Sequence, residues 1–322
     1  MTPSAPHDGS MPLVILKGQR DDMAVLVSGK APNGNSASLP RLRPTGEAPL
    51  PSQASRYLKS LGLDLPPESL SSIHNRPPDS DRQFSSGQGM VGHCIGIDAL
   101  PNRPYHWLPL AGISRFENPD GSAVCAALAQ FWPCMPMGNT LFKNTVPYGG
   151  GRNRDHAIFF GGTFNPWHRA HQACIELCPL KENVVVVPDT NPRKPISHRD
   201  CPWQEYQQLI ADVKGLGVTV FPGYASLDHP NPTASWLPKT RYAKRDLLIG
   251  DDSWVTLPTW IEAERLVAAL NAIWIAPRRS AKKDIEFTER WLHRNAPKCE
   301  VHFLGDHPYR DISSTKIRRS QT

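Results

Sequence analysis

From residue 157 onward the chain alternates between two patterns of apolar residues. Short, nearly unbroken apolar runs stand at "AIFFGG" (157–162), "NVVVVPD" (183–189), "VTVFPG" (218–223), "DLLIGDD" (246–252), "IWIAPR" (273–278) and "EVHFLG" (300–305). Between most of them lie segments with helical spacing: "HRAHQACIELC", "PWQEYQQLIADVKGLG", "PTWIEAERLVAALNA" and "IEFTERWLHRNA". A strand without polar alternation must be covered on both faces, and parallel neighbours need a crossover, which an amphipathic helix supplies. The alternation therefore predicts an α/β domain with a Rossmann-like parallel sheet wrapped by helices on both faces.

That domain does not fill the chain. With 322 residues there is room for two domains, and "NTVPYGGGRNRDH" (144–156), with three consecutive glycines and no apolar periodicity, reads as the linker. The division expected is 1–148 and 149–322. The 33 prolines are roughly twice the average usage of about 5% and point to long ordered loops. A net charge of +6 suits anionic partners such as nucleotides, with "PRRSAKKD" (277–284) and "KIRRS" (316–320) as the most basic runs. Seven cysteines, an odd number without a C-x-x-C pair, argue for reduced thiols rather than disulfides or a zinc knuckle. Cys174 and Cys178 share a helical face after His171, where packing is the expected role. No segment reaches the ~18 consecutive apolar residues of a membrane helix. A cytoplasmic protein is expected, with no membrane and no specific nucleic-acid partner; homo-oligomerisation is left open.

In open parallel sheets ligands sit outside the carboxyl ends of the strands. After the first strand comes "GGTFNPWHRAH", where Gly161 and Gly162 allow close backbone approach, Pro166 fixes a turn, and His168 and His171 open a helix. A helix N-terminus presents free N–H groups and a positive dipole, so an anion is favoured there. Two imidazoles at that spot can donate to phosphate oxygens; alternatively they cap the helix and stack on Trp167. At the far end "DISSTKIRRS" (311–320) sets Ser313, Ser314 and Thr315 before a short basic helix starting near Lys316, with Arg318 beside it. Two phosphate-friendly helix starts in one sheet domain predict a polyphosphate held between them, with ATP the obvious candidate.

These segments resemble those of a known family. "GGTFNPWHRAH" is similar to the G-G-T-F-D-P-x-H-x-G-H signature of the nucleotidyltransferase superfamily, and "ISSTKIR" to the I-S-S-T-x-I-R signature of its adenylyltransferase branch. "IGDDSWVTLPTWIEAERLV" (249–267) is similar to the G-A-D-S-L-x-x-L-P-T-W stretch of nicotinate and nicotinamide mononucleotide adenylyltransferases, and "VPDTNPRKP" (187–195) falls where that family has a proline-rich loop. The resemblance implies that His168, His171 and Arg318 face the ATP phosphates together with the Ser313–Thr315 turn. It implies too that Gly161, Gly162, Thr163, Phe164 and Asn165 line the crossing to the mononucleotide. Gly250 and Asp252 would lie beneath the ribose, Trp260 would stack on the pyridine ring, and Lys194 would face the acceptor or the triphosphate. Magnesium, bound mainly through the phosphates and water, would be the only cofactor.

The family pattern is not kept throughout. Asn165 replaces its usual aspartate, Ala170 replaces a glycine and adds a methyl close to the expected ligand, and Asp251 replaces a small residue. The stretch 223–246 lacks a clean Y-T-x-x-T-L segment, so the choice between nicotinate and nicotinamide stays open, as does a lid role for that stretch.

In the first 148 residues "MPLVILKGQRDDMAVLVSGK" reads as two short strands around a polar turn. "RLRPTGEAPLPSQASRYLKSLGL" (41–63) resembles in spacing the Nudix box G-x5-E-x7-R-E-U-x-E-E-x-G-U. Glu47, Gly62 and Leu63 keep their places; Arg41 stands for the first glycine, and Ser55, Arg56, Lys59 and Ser60 stand where the R-E and E-E pairs belong. "HWLPLAGI" (106–113) resembles the segment that commonly follows the box. Cationic Arg56 and Lys59 would repel the magnesium that a Nudix hydrolase gathers, so a non-catalytic Nudix-like module is expected. For the whole chain the expectation is adenylyl transfer from ATP to a pyridine mononucleotide. The alternatives are a non-catalytic nucleotide sensor and an adenylyltransferase for another phosphorylated acceptor.

Overall fold

A computed structural model describes residues 10–17, 24–28, 38–72, 90–94, 101–102, 104–109, 116, 120–121, 123–124, 127, 156–189, 202–221, 231–240, 242–278 and 280–321. The expected linker at 144–155, Lys194 and residues 222–230 lie outside them. None of the helices described is long and apolar enough to cross a membrane.

The described residues of the N-terminal part form a six-stranded mixed sheet. Its strands are β1 (Met11–Lys17), β2 (Ala24–Val27), β3 (Arg41–Leu42), β4 (Leu70–Ser72), β5 (Met90–Cys94) and β6 (His106–Pro109), in the order β4-β5-β1-β2-β6, with β3 beside β1. β1 pairs in parallel with β5 and antiparallel with β2. It is buried on both faces. Leu13 and Ile15 meet Ala54 and Leu58 of helix α1 (Leu50–Ser60), while Val14 and Leu16 pack with Phe116 and Val124 on the other side. α1 occupies the middle of the 41–63 stretch and ends two residues before Gly62. Gly62 has φ 87°; its N–H donates to Lys59 O at 3.0 Å, and the N–H of Leu63 donates to Leu58 O at 3.0 Å. This paired closure needs a left-handed residue, which glycine adopts without a Cβ clash.

The second sheet follows the predicted alternation. β7 (His156–Gly162), β8 (Val184–Pro188), β9 (Thr219–Val220), β10 (Lys244–Gly250), β11 (Ala272–Ala276) and β12 (Glu300–Phe303) are all parallel, in the order β12-β11-β10-β7-β8-β9. The chain winds outward from β7 through β8 to β9, then returns to the far side of β7 and winds outward again through β10, β11 and β12. Strand order reverses between β7 and β10, and there the loops part to leave a crevice at the carboxyl ends. The connecting helices are α2 (Arg169–Leu177), α3 (Pro202–Asp212), α4 (Thr233–Trp236), α5 (Asp251–Trp254), α6 (Ala263–Ala268), α7 (Lys282–Asn295) and the final α8 (Ser314–Gln321). Two expectations need adjusting. The run "DLLIGDD" is strand only to Gly250, because Asp251 and Asp252 open α5; and α8 begins at Ser314, two residues before Lys316.

At the opposite, amino-terminal end of this sheet lies a buried polar network. His156 Nε2 donates to Asp246 Oδ2 at 2.8 Å, and Trp274 Nε1 donates to the same oxygen at 2.9 Å. Asn183 Nδ2 lies 3.3 Å from His156 Nδ1, so the ring accepts on one side and donates on the other. Three neighbouring strands, β7, β10 and β11, are tied together by one carboxylate.

Candidate active site

A cleft of about 320 Å³ opens at the switch point between β7 and β10. Among the residues singled out above, Gly161, Gly162, Thr163, Phe164, His168, His171, Gly250, Asp252, Trp260, Ser313, Ser314 and Thr315 line it. They come from three segments: the turn after β7, the stretch after β10, and the start of α8.

The turn after β7 is held in an uncommon conformation. Phe164 has φ 47°, a left-handed backbone that a non-glycine residue adopts at some cost and that clusters at functional sites. Its ring is almost fully buried and packs 5.2 Å from Phe160, 5.3 Å from Trp167 and 5.1 Å from His171, centroid to centroid. His168 follows as the N-terminal cap of α2. Its backbone is extended, and its carbonyl accepts the N–H groups of His171 (2.9 Å) and Gln172 (3.2 Å). The imidazoles of His168 and His171 stack face to face, 3.6 Å apart and 15° from parallel. Both rings border the cleft at the positive end of a helix, where an anion is stabilised.

Two histidinium ions could not be stacked so closely without repulsion. Burial, with the Arg278 guanidinium as the second cause, pushes His168 down to about 4. It is therefore a neutral donor and acceptor at pH 7. A folded-state value below that of the unfolded chain means that the unfolded state binds more protons between about pH 6.5 and 4, so stability falls as pH drops through that window. An anion in the cleft favours the charged ring and opposes Arg278. In an NMR titration the His168 ring protons are therefore expected to turn over near pH 4 in the free protein and at higher pH once ATP is added. The other charged groups bordering the cleft are Arg278, Asp252 and the buried Asp189.

α8 meets this turn from the far end of the chain. Ser313 caps the helix, its Oγ accepting the Lys316 N–H at 3.3 Å. Ser314 Oγ donates to Pro166 O at 3.0 Å across 148 residues, and Arg318 donates to Asn165 O. The N-termini of α2 and α8 are thereby fixed beside one another at one cleft. Arg318 itself does not line the cleft: it lies on Asn165 O and 3.5 Å from Thr315 Oγ1, while Lys316 Nζ donates to Asp311 O at 3.2 Å. Asn165 is likewise set back from the cleft, its side chain donating to Glu205 at 2.7 Å. Ala170 is fully buried, so its methyl enters the core instead of the cleft.

On the third side, Asp252 Oδ1 accepts the Ser253 N–H at 3.0 Å and lies 3.5 Å from Arg278 Nε. Trp260 is half-buried, and its Nε1 lies 3.3 Å from Thr256 Oγ1. Sequence reasoning missed two contributors here. Arg278 ends the run "IWIAPR" and lines the cleft, but it read only as part of a basic stretch. Asp251 is buried and anchors the loop that carries Arg278, accepting from Arg278 N at 2.8 Å and Ser280 Oγ at 3.0 Å. Its place after a strand end was the available signal. Cys174 also borders the cleft, but burial pushes its thiol up to about 12, and Cys178 up to about 11, so both pack as thiols. Among the described residues no group of three His, Cys, Asp or Glu side chains is spaced to hold a metal.

The fold and its cleft define a doubly wound, Rossmann-like α/β domain with two helix N-termini at one crevice, an arrangement that favours anions. No family model matches the chain. It is similar to a probable nicotinate-nucleotide adenylyltransferase of Bacteroides fragilis, 28% identical over 172 residues, which cover 50% of this chain and 79% of the relative. Proteins of the same name in Klebsiella pneumoniae (28% over 186 residues, 50% and 83%) and Yersinia pestis (28% over 194 residues, 52% and 86%) are similar to the same degree.

Proposed function

We propose that this chain transfers the adenylyl group of ATP to nicotinate or nicotinamide mononucleotide, forming the dinucleotide and releasing pyrophosphate. The observation that carries the reading is the junction of α2 and α8, where the Ser314–Pro166 hydrogen bond sets two anion-favouring helix starts and the His168–His171 pair at one cleft. The names of the similar proteins agree with it.

The reaction asks little more of the protein than this. The 5′-phosphate of a mononucleotide is already nucleophilic at pH 7; it attacks the α-phosphorus, a new P–O bond forms, and the bond to pyrophosphate breaks. Alignment and charge dispersal are then sufficient. His168 and His171 would donate to the triphosphate from α2, and Ser313, Ser314 and Thr315 would offer hydroxyl and N–H donors from α8. Arg318 and Lys194 would add positive charge on the β- and γ-phosphates or the acceptor. Gly161 and Gly162 let the ligand approach the backbone; Asp252 suits a ribose hydroxyl, and Trp260 the face of a pyridine ring. The donors around the phosphate position are N–H and O–H groups, which take phosphate oxygens rather than a cation. Magnesium would therefore enter on ATP as part of the substrate and neutralise its charge.

The test incubates the protein with ATP, magnesium and each mononucleotide in turn and follows pyrophosphate. Turnover with one of them is expected; none with either sinks the proposal and favours the nucleotide sensor. For the N-terminal part we propose a Nudix-like module without hydrolase activity. The mixed sheet and the helix at the box position support it. On α1 Arg56 is exposed, Lys59 pairs with Asp64 at 3.6 Å, and Ser55 Oγ donates to Leu65 O; the helix itself, Leu50–Ser60, carries no carboxylate for a metal. No mononucleotide should be released when a dinucleotide and magnesium are added alone; release would overturn this half.

A further inference from the structure

Asn165 stands where the resembled signature has aspartate, and its surroundings give that difference a cause. Its Nδ2 donates to Glu205 Oε1 at 2.7 Å, a contact between the turn after β7 and the first turn of α3, 40 residues on. The carboxylate of Glu205 can only accept when ionised, so the amide of residue 165 must turn its nitrogen toward it. An aspartate at 165 would face a second carboxylate at the same distance, and two such groups cannot both be ionised at low cost. The main chain of the same residue carries the other contact: Asn165 O accepts Arg318 from α8, and the next carbonyl, Pro166 O, accepts Ser314. One dipeptide thus receives α3 through its side chain and α8 through its backbone.

We propose that Glu205 is a positioning residue for the triphosphate cleft. By holding the Asn165 side chain it fixes the orientation of the Asn165 and Pro166 carbonyls, and with them the place of Ser314 and Arg318 at the mouth of α8. Glu205 itself does not line the cleft. The inference rests on the proposed role of α8 in binding ATP, but the pairing of Asn165 with Glu205 stands apart from any activity.

Two variants separate the parts. Asn165→Asp sets two carboxylates together; relative to the unchanged protein its melting temperature should be lower at pH 8 and recover as pH falls toward 5, because one member of the pair takes a proton there. Over the same range its ATP affinity, read by equilibrium titration with MgATP, should be weakened about tenfold at pH 8 and recover on acidification. Asn165→Asp combined with Glu205→Gln restores a donor–acceptor pair with the roles exchanged, and should return both readouts to the unchanged protein at every pH. A pH-independent melting difference in the single variant, or failure of the double variant to rescue, overturns the pairing whatever the turnover. A normal melting pattern with unaltered ATP affinity in the single variant overturns the positioning role. Absence of turnover in the unchanged protein, with the melting pattern as described, would count against the transferase reading alone.

Discussion

His171→Ala is expected to lower the rate of pyrophosphate release by about 10²- to 10³-fold while the chain stays folded. This is the loss seen when one preorganised donor is removed from a developing negative charge. His171 is held before the ligand arrives: its ring stacks on His168 at 3.6 Å, and Phe164 and Trp167 each lie 5.1 Å from it by centroid. A donor fixed in this way pays no reorganisation as charge builds on the transferring and leaving groups. The loss should therefore fall on kcat more than on KM. An unchanged kcat in steady-state assays would remove His171 from the proposed machinery.

The second large effect is one of stability and belongs to the other end of the sheet. Asp246→Ala leaves His156 Nε2 and Trp274 Nε1 without their shared acceptor in the interior, where Asp246 is only 3% exposed. Leaving a buried neutral donor unsatisfied costs about 1–3 kcal/mol, and denaturant unfolding of the variant should register a loss of at least that size. Asp246→Asn keeps an acceptor oxygen and should cost less. Equal stability of the alanine variant and the unchanged chain would mean that the network contributes little. Because Asp246 lies near the start of the strand that ends at Gly250, the loss should appear in stability before it appears in the chemistry at the cleft.

Much of this domain was legible because it depends on local patterns. All six strand-like runs contain a strand, since an unbroken run such as Val184–Val187 has no solvent face and only the middle of a parallel sheet accepts it. Twelve of the residues that line the cleft, those after β7, after β10 and at the start of α8, were legible for a related reason. Loops after strands converge at a switch point, so reading which polar residues follow each strand amounts to reading the cleft. What was illegible depends on side-chain direction. "DLLIGDD" does not say that Asp251 turns inward to hold the Arg278 loop while Asp252 stays on the rim; both are acidic residues after a strand. Nor could spacing place Ala170 in the core instead of the cleft, or Arg318 on Asn165 O. Those outcomes depend on the rotation of α2 and α8, which tertiary contacts set. In the stretch with Nudix-box spacing, Arg41, which stands for the box's first glycine, pairs with Asp120, 79 residues away. Nothing within the box foretells that partner.

The glycines ending β7 and β10 differ in what they tolerate. A methyl group built on Gly250 would stand 2.5 Å from Asp252 Oδ1 and 2.9 Å from Arg278 Nε, so both side chains would have to shift to admit it. One built on Gly161 would meet no protein atom within 4 Å. The bareness of Gly161 serves no neighbour in the fold. A chain with alanine there should be as sound as its parent in every test of folding and handicapped only when a guest arrives. That single missing carbon therefore separates the shape the chain needs for itself from the shape it keeps for something else.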